Sequence, residues 1–228
     1  MDMNILSLEF LAALGSIIIL DLVLAGDNAV VIAMAANRLK GNLRKKAIYI
    51  GTAGALIIRL LMTFVAVWLL TIPYLQAIGG LILLPIAVHL LKPEEGSGPE
   101  NIKAADTLAG AVKTIIIADA AMGIDNVLAI AGAAQGHFLL VALGLLISIP
   151  IVVGGSTIIG RFMDRFPILI FIGAGILGWT AGSMIVHDRI LGVMLTGFAG
   201  AWVAYAVPAV LAAAVCVIGY VKRQRAAA

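Results

Sequence analysis

Long apolar runs fill most of the chain, and short polar interruptions divide it. The runs fall at about residues 6–36, 47–70, 73–91, 108–134, 138–158, 167–187 and 191–220. Each is close to or beyond the roughly 20 residues that an α-helix needs to cross the hydrocarbon core of a bilayer. The pattern predicts an all-α polytopic membrane protein with seven transmembrane helices. Between the third and fourth runs, residues 92–107 contain Lys92-Pro93-Glu94-Glu95-Gly96-Ser97-Gly98-Pro99-Glu100. That composition favours a flexible, solvated connection over a packed element.

Polar groups inside the runs are few, and they repeat. Asp21, Asp27 and Asn28 interrupt the first run; Asp119, Asp125 and Asn126 interrupt the fourth, each 98 residues after its counterpart. A carboxylate at the middle of a membrane helix costs about 2.5–3.5 kcal/mol on insertion scales, so such residues mark function by default. The same offset relates Gly80 to Gly178 and His89 to His187. It defines a first unit at 1–91, a linker at 92–107, a second unit at 108–187, and a segment at 188–228 holding the seventh helix and a basic tail. A unit of three spans enters the membrane in opposite senses on its two occurrences, which gives two inverted three-helix repeats plus an unmatched helix.

Both motifs carry turn chemistry. Gly26-Asp27-Asn28 and Gly123-Ile124-Asp125-Asn126 combine a permissive glycine with side chains that bond their own backbone outside helices. On an unbroken helix Asp21 and Asp27 would also diverge by about 240°. Helices one and four are therefore both expected to break near the midplane and to face each other, since interrupted backbone at that depth survives only against protein or a wet cavity. Secondary transporters built from inverted repeats bind substrate at such a place.

Composition agrees. Of the residues, 63% are hydrophobic and 12% charged, with a mean hydropathy of +1.14, which leaves no room for a soluble domain. With the N-terminus outside and the C-terminus in the cytoplasm, 13 of the 15 Lys and Arg residues fall on the cytoplasmic side and only Arg59 and Arg189 do not, as the positive-inside rule requires. The expected location is a bacterial-type inner (plasma) membrane, with the first helix retained because Met1-Asp2-Met3-Asn4 lacks a basic leader. Trp68, Tyr74 and Trp202 fall near span ends, where aromatic rings prefer to lie. The net charge of +3 is dispersed among loops and calls for no nucleic-acid partner. Cys216 is single and reads as packing. The lipid bilayer is the obligatory partner, and a homo-oligomer stays open.

Four carboxylates and two amides at one depth suit a hard divalent cation such as Mn²⁺, Mg²⁺ or Ca²⁺. No Cys-x-x-Cys or His-x-x-x-His spacing offers a softer site, no prosthetic group is implied, and the chain is not expected to be an enzyme. Asp21, Asp27, Asn28, Asp119, Asp125 and Asn126 are the candidate metal ligands. Arg59, at the middle of the second run, needs an anionic partner. It reads first as a static counter-ion to an aspartate, and alternatively as a moving cation that fills the site when metal leaves. His89 and His187, near opposite faces, are candidates for a gate or proton relay. A metal-free cavity with several carboxylates would take up protons that an arriving cation expels, the linkage that a proton exchanger requires.

The paired motif Asp21-x5-Asp27-Asn28 and Asp119-x5-Asp125-Asn126, on the first and fourth of seven helices, resembles the doubled signature of the TerC family of integral membrane proteins, over nearly the whole chain. The resemblance implies a metal transporter and, more narrowly, manganese export; it carries over to the six motif residues alone. Many members have a glutamate where this chain has Asp21. Other classes stay open: a membrane assembly factor presenting metal to exported proteins, a passive channel, and an intramembrane aspartyl protease. For the last, Pro208-Ala209-Val210 resembles a Pro-Ala-Leu element, but neither motif completes Gly-x-Gly-Asp.

Overall fold

The computed structural model describes residues 7–69, 72–91, 107–134 and 137–227. Among them lie ten helices and no strand: α1 Leu8–Leu24, α2 Gly26–Asn37, α3 Gly41–Phe64, α4 Ala66–Leu69, α5 Leu75–Leu90, α6 Leu108–Ala134, α7 Phe138–Arg165, α8 Ile168–His187, α9 Leu191–Ala199 and α10 Val203–Ala227. The expected linker falls almost wholly on residues 92–106, outside the described residues, as do Met1-Asp2-Met3-Asn4 and the side chain of Trp68.

The first apolar run breaks as its sequence predicts. Ser7 caps α1 by accepting the Phe10 N–H at 3.1 Å. Ala25, with φ −94° and ψ 8°, then separates α1 from α2, whose axes differ by 51°. The fourth run does not break. α6 is continuous from Leu108 to Ala134, straight through Gly123 and Asn126, so the expected pair of facing breaks reduces to one. Glycine inside a helix costs only about 1 kcal/mol relative to alanine, less than packing against neighbouring helices returns. α6 has such neighbours in α3, α5, α1 and α2. The seventh run, expected as one helix, divides into α9 and α10 at Gly200, whose φ of +91° only glycine adopts readily.

Among the described residues, four helices are long and apolar enough to cross a membrane: α3, α7, α8 and residues Val203–Lys222 of α10. The bent α1–α2 pair makes a fifth if it counts as one span. The expected seven are thus met as far as five. α5, at 16 residues, is about 24 Å long and shorter than a roughly 30 Å hydrocarbon core.

α2 is the most enclosed element, with Asn28, Ala29 and Val31 to Ala36 all buried. Its alanines let the backbones of α7, α6, α3 and α8 approach. Close approach through small residues is the usual source of helix association in lipid, where apolar burial gives no net drive. Gly51 brings α3 onto Ile115 of α6, and Gly178 and Gly182 bring α8 onto Ala212 and Pro208 of α10. Gly80 instead packs α5 on Ala181 of α8, so Gly80 and Gly178, equivalent in sequence, serve different contacts. Leu8, Val23, Phe64, Phe198 and Tyr205 point outward unburied, as side chains facing acyl chains would.

Polar contacts tie the two ends of the bundle. At one end Arg38 Nη2 donates to the His89 carbonyl at 2.9 Å and Arg44 Nη1 pairs with Asp164 at 2.6 Å, joining the ends of α2, α5 and α7 to the start of α3. At the other, Asp188 accepts the Ala77 N–H at 3.2 Å, joining the end of α8 to the start of α5.

Candidate functional site

Asp21 stands one turn before the break, and its backbone carbonyl accepts the Ala25 N–H at 2.7 Å. Its side chain, 1% exposed, meets Arg59 of α3: Nη1 donates to Asp21 Oδ1 at 2.6 Å. The other arm of the same guanidinium donates from Nη2 to Asp119 Oδ1 of α6 at 2.5 Å. The two leading aspartates of the doubled motif are therefore bridged by one fork. Ser148 of α7 donates its hydroxyl to Asp21 Oδ2, so both oxygens of Asp21 are engaged. All four residues are buried.

Asp21, Arg59 and Asp119 line a cavity of about 30 Å³, together with Ala25, Asn28, Thr52, Leu145, Ile149 and Val152. The space suits one or two water-sized occupants. With the arginine charged and both aspartates ionised, the cluster carries one net negative charge. Buried ions survive only where they are paired and hydrogen-bonded, and the fork supplies both for three charges at once.

Asn28 and Asn126 hold equivalent places but are not treated alike. The α1–α2 break frees backbone carbonyls, and Asn126 of α6 donates Nδ2 to one of them, Leu24, at 3.3 Å. Asn28, 2% exposed, has neither Nδ2 nor Oδ1 hydrogen-bonded. The asymmetry follows from α6 staying intact. The carbonyl equivalent to that of Leu24 belongs to Met122, inside a continuous helix, where the backbone ladder takes it.

The remaining candidates disperse. Asp27, in the first turn of α2, accepts the Asn28 N–H at 2.9 Å and the Thr180 hydroxyl of α8 at 3.3 Å, away from the Arg59 fork. The bend at Ala25 and the six-residue spacing send it to a different helix. Asp125 lies in α6, and its side chain is outside the described ones. Among the described residues no three Asp, Glu, His or Cys side chains gather as a metal cage, and of the six expected ligands Asp21, Asp119 and Asn28 line one cavity. His187 is exposed and bonds its own helix, with Nδ1 2.8 Å from the Ser183 carbonyl. His89 lines a groove between α5 and α10, together with Val215 and Lys222. Neither histidine lines the acidic cavity.

Ser148, Thr180 and Thr52 are the contributors that motif reading misses. Ser148 alone leaves a signal: it is the one hydroxyl in an otherwise apolar stretch from Phe138 to Val153. Outside the helices, burial opposes the charge of Asp188, but N–H groups of Leu191, Ile190, Ala77 and Gln76 outweigh it and hold the carboxyl below the usual aspartate range.

Comparison with known proteins agrees with this architecture. The model of the Integral membrane protein TerC family matches residues 6–227. The chain is 42% identical over 187 residues to the uncharacterized membrane protein YjbE of Bacillus subtilis, covering 82% of this chain and 85% of that one. It is 29% identical over 201 residues to YkoY of the same organism, covering 80% and 62%, and 25% identical over 171 residues to the UPF0053 inner membrane protein YgdQ of Escherichia coli, covering 68% and 72%. No solved structure matches. The chain, a multi-pass helical membrane protein, belongs to the TerC family.

Proposed function

We propose that this protein moves a divalent metal cation across the membrane, that manganese is its cargo, and that export runs in exchange for protons. The observation that carries the reading is the cavity lined by the buried side chains of Asp21, Asp119 and Asn28, the last with its amide unbonded. Carboxylate and amide oxygens favour hard cations over soft ones. A buried amide with no partner costs free energy, which a cation accepting its Oδ1 as ligand would offset. Asp27 and Asp125 follow as ligands or as stations on the path to the cavity. Manganese comes from the family resemblance rather than from the geometry.

Helix directions support alternating access. The tie between Arg44 and Asp164 puts the ends of α2 and α7 together, so α6, which precedes α7, runs opposite to α1 and α2. α3 lies on α6 as α7 lies on α1 and α2, the exchange expected of inverted repeats. Counting α5 and α6 as spans brings the total to seven, with the N-terminus outside and the Arg38–Arg44 end in the cytoplasm. Lys40→Cys, exposed at that end, should react with an impermeant thiol reagent only after the membrane is opened, and Arg189→Cys should react in intact cells.

The direct test is manganese tolerance in a strain lacking its own exporters. The wild-type chain should restore growth and lower cell manganese. Asp119→Asn should do neither while remaining in the membrane. Equal tolerance in both would refute the site.

A further inference from the structure

Resting on the cation reading above, we infer that Arg59 is a built-in competitor for the cargo, whose guanidinium occupies the place that the divalent ion takes between Asp21 and Asp119, and that this exchange sets which cation charge the site accepts. Three observations carry it. The fork is shared: Nη1 reaches Asp21 at 2.6 Å and Nη2 reaches Asp119 at 2.5 Å, so the guanidinium lies between the two carboxylates that a cation would bridge. Each oxygen of Asp21 already has a donor, because Ser148 holds the second, and the Arg59 guanidinium stands on the side shared with Asp119, so a cation bridging the two acids competes with it for that place. The third is independent of the acids: buried Asn28 lines the same cavity with both polar atoms of its side chain unbonded, so its Oδ1 is available as a ligand.

Charge makes the exchange specific. With Arg59 in place the cluster keeps one net negative charge, which a buried site tolerates poorly. With a divalent cation in place of the guanidinium, the two carboxylates are neutralised. A monovalent cation would do no better than Arg59 itself and, being untethered, would lose to it on effective concentration. A counter-ion standing permanently beside the metal would instead put three positive charges against two negative ones in a space of about 30 Å³. Arginine suits the task because its planar fork spans two carboxylates, which a lysine ammonium cannot do with the same geometry.

Mn²⁺ binding to the purified full chain, read from loss of the free-ion electron paramagnetic resonance signal at neutral pH, tests this. Arg59→Ala should bind Mn²⁺ about tenfold or more tightly than wild type, since a cationic competitor is gone. Added guanidinium chloride, against choline chloride at equal ionic strength, should weaken Mn²⁺ binding by Arg59→Ala several-fold and leave the wild type unchanged. Arg59→Lys, which keeps a charge in the cavity if the alanine variant does not fold, should bind Mn²⁺ more tightly than wild type because its hold on the two acids is weaker. Simultaneous binding of Mn²⁺ and guanidinium by Arg59→Ala, or weaker Mn²⁺ binding by both variants than by wild type, would overturn the inference and make Arg59 a fixed neighbour of the cargo. Absence of Mn²⁺ binding by wild type and variants alike would instead refute the cation reading itself, and the inference with it.

Discussion

Asn126 donates its amide to the Leu24 carbonyl across the break between α1 and α2, whereas Asn28, its counterpart 98 residues earlier, is buried with neither side-chain amide atom hydrogen-bonded. Equivalent residues in the two motifs thus do opposite jobs, one completing a broken backbone and the other facing a cavity. Alanine substitution should separate them. Asn126→Ala leaves a buried carbonyl unsatisfied and should cost about 1–3 kcal/mol. Asn28→Ala removes a group that is already unpaired, and should leave stability unchanged or raise it by about 1 kcal/mol. Denaturant unfolding in micelles measures both, and on the proposed function only Asn28→Ala should weaken metal binding with folding intact.

The Arg59 cluster predicts an order of severity. Arg59→Ala strands two like charges in a buried site and should cost about 3–5 kcal/mol, as breaking buried ion pairs does. Asp119→Asn leaves Arg59 paired with Asp21 and removes the excess negative charge, so its cost should be clearly smaller. Thermal unfolding of the two variants checks the ranking, which reverses if the arginine is held mainly by Asp119.

The cluster was half legible in the sequence. The motif spacing identified Asp21 and Asp119 as equivalent, and burial made an anionic partner for Arg59 obligatory, but only three-dimensional packing shows one arginine serving both. The break at Ala25 was readable because Gly26, Asp27 and Asn28 all favour it. Gly123 and Asn126 send the same local signal, yet α6 stays intact. Local preference of about 1 kcal/mol per residue cannot decide between two copies of a motif whose neighbours differ. Thr180 was invisible because hydroxyls are common in membrane helices, and Ser148, though alone in an apolar stretch, is tied to the site only by its contact with Asp21, as Thr180 is by its contact with Asp27.

Asp188 should make stability depend on acidity at the non-membrane end of α8. Burial opposes its charge, but four backbone N–H groups hold its carboxyl below the ordinary aspartate value. A depressed folded value contributes stability that is present above the unfolded pKa of about 3.9 and is lost as pH falls through the folded value. Asp188→Asn keeps an acceptor oxygen but loses the charge that strengthens these bonds, and should therefore lower the unfolding temperature near neutral pH by an amount set by about 1 kcal/mol. The gap to wild type should close in strong acid. An unchanged gap at all pH values would contradict the assignment.

The seating of α10 on α8 depends on glycine. A methyl group at Gly178 would lie 2.8 Å from the Ala212 Cα and 2.9 Å from the Leu211 carbonyl oxygen, both backbone atoms that cannot turn aside. Gly178→Ala should cost about 1–3 kcal/mol by overpacking. Gly26→Ala meets nothing within 4 Å and should be neutral or stabilising by up to about 1 kcal/mol. Protease sensitivity of α10 distinguishes the two.

Flux through the purified chain in proteoliposomes is the most direct test of the central claim. With Mn²⁺ at equal concentration on both sides and an imposed pH gradient, the account predicts uphill Mn²⁺ movement against a countermovement of protons, lost in Asp21→Asn and Asp119→Asn. Mn²⁺ movement no faster than in protein-free liposomes, or movement identical in wild type and both variants, would contradict it.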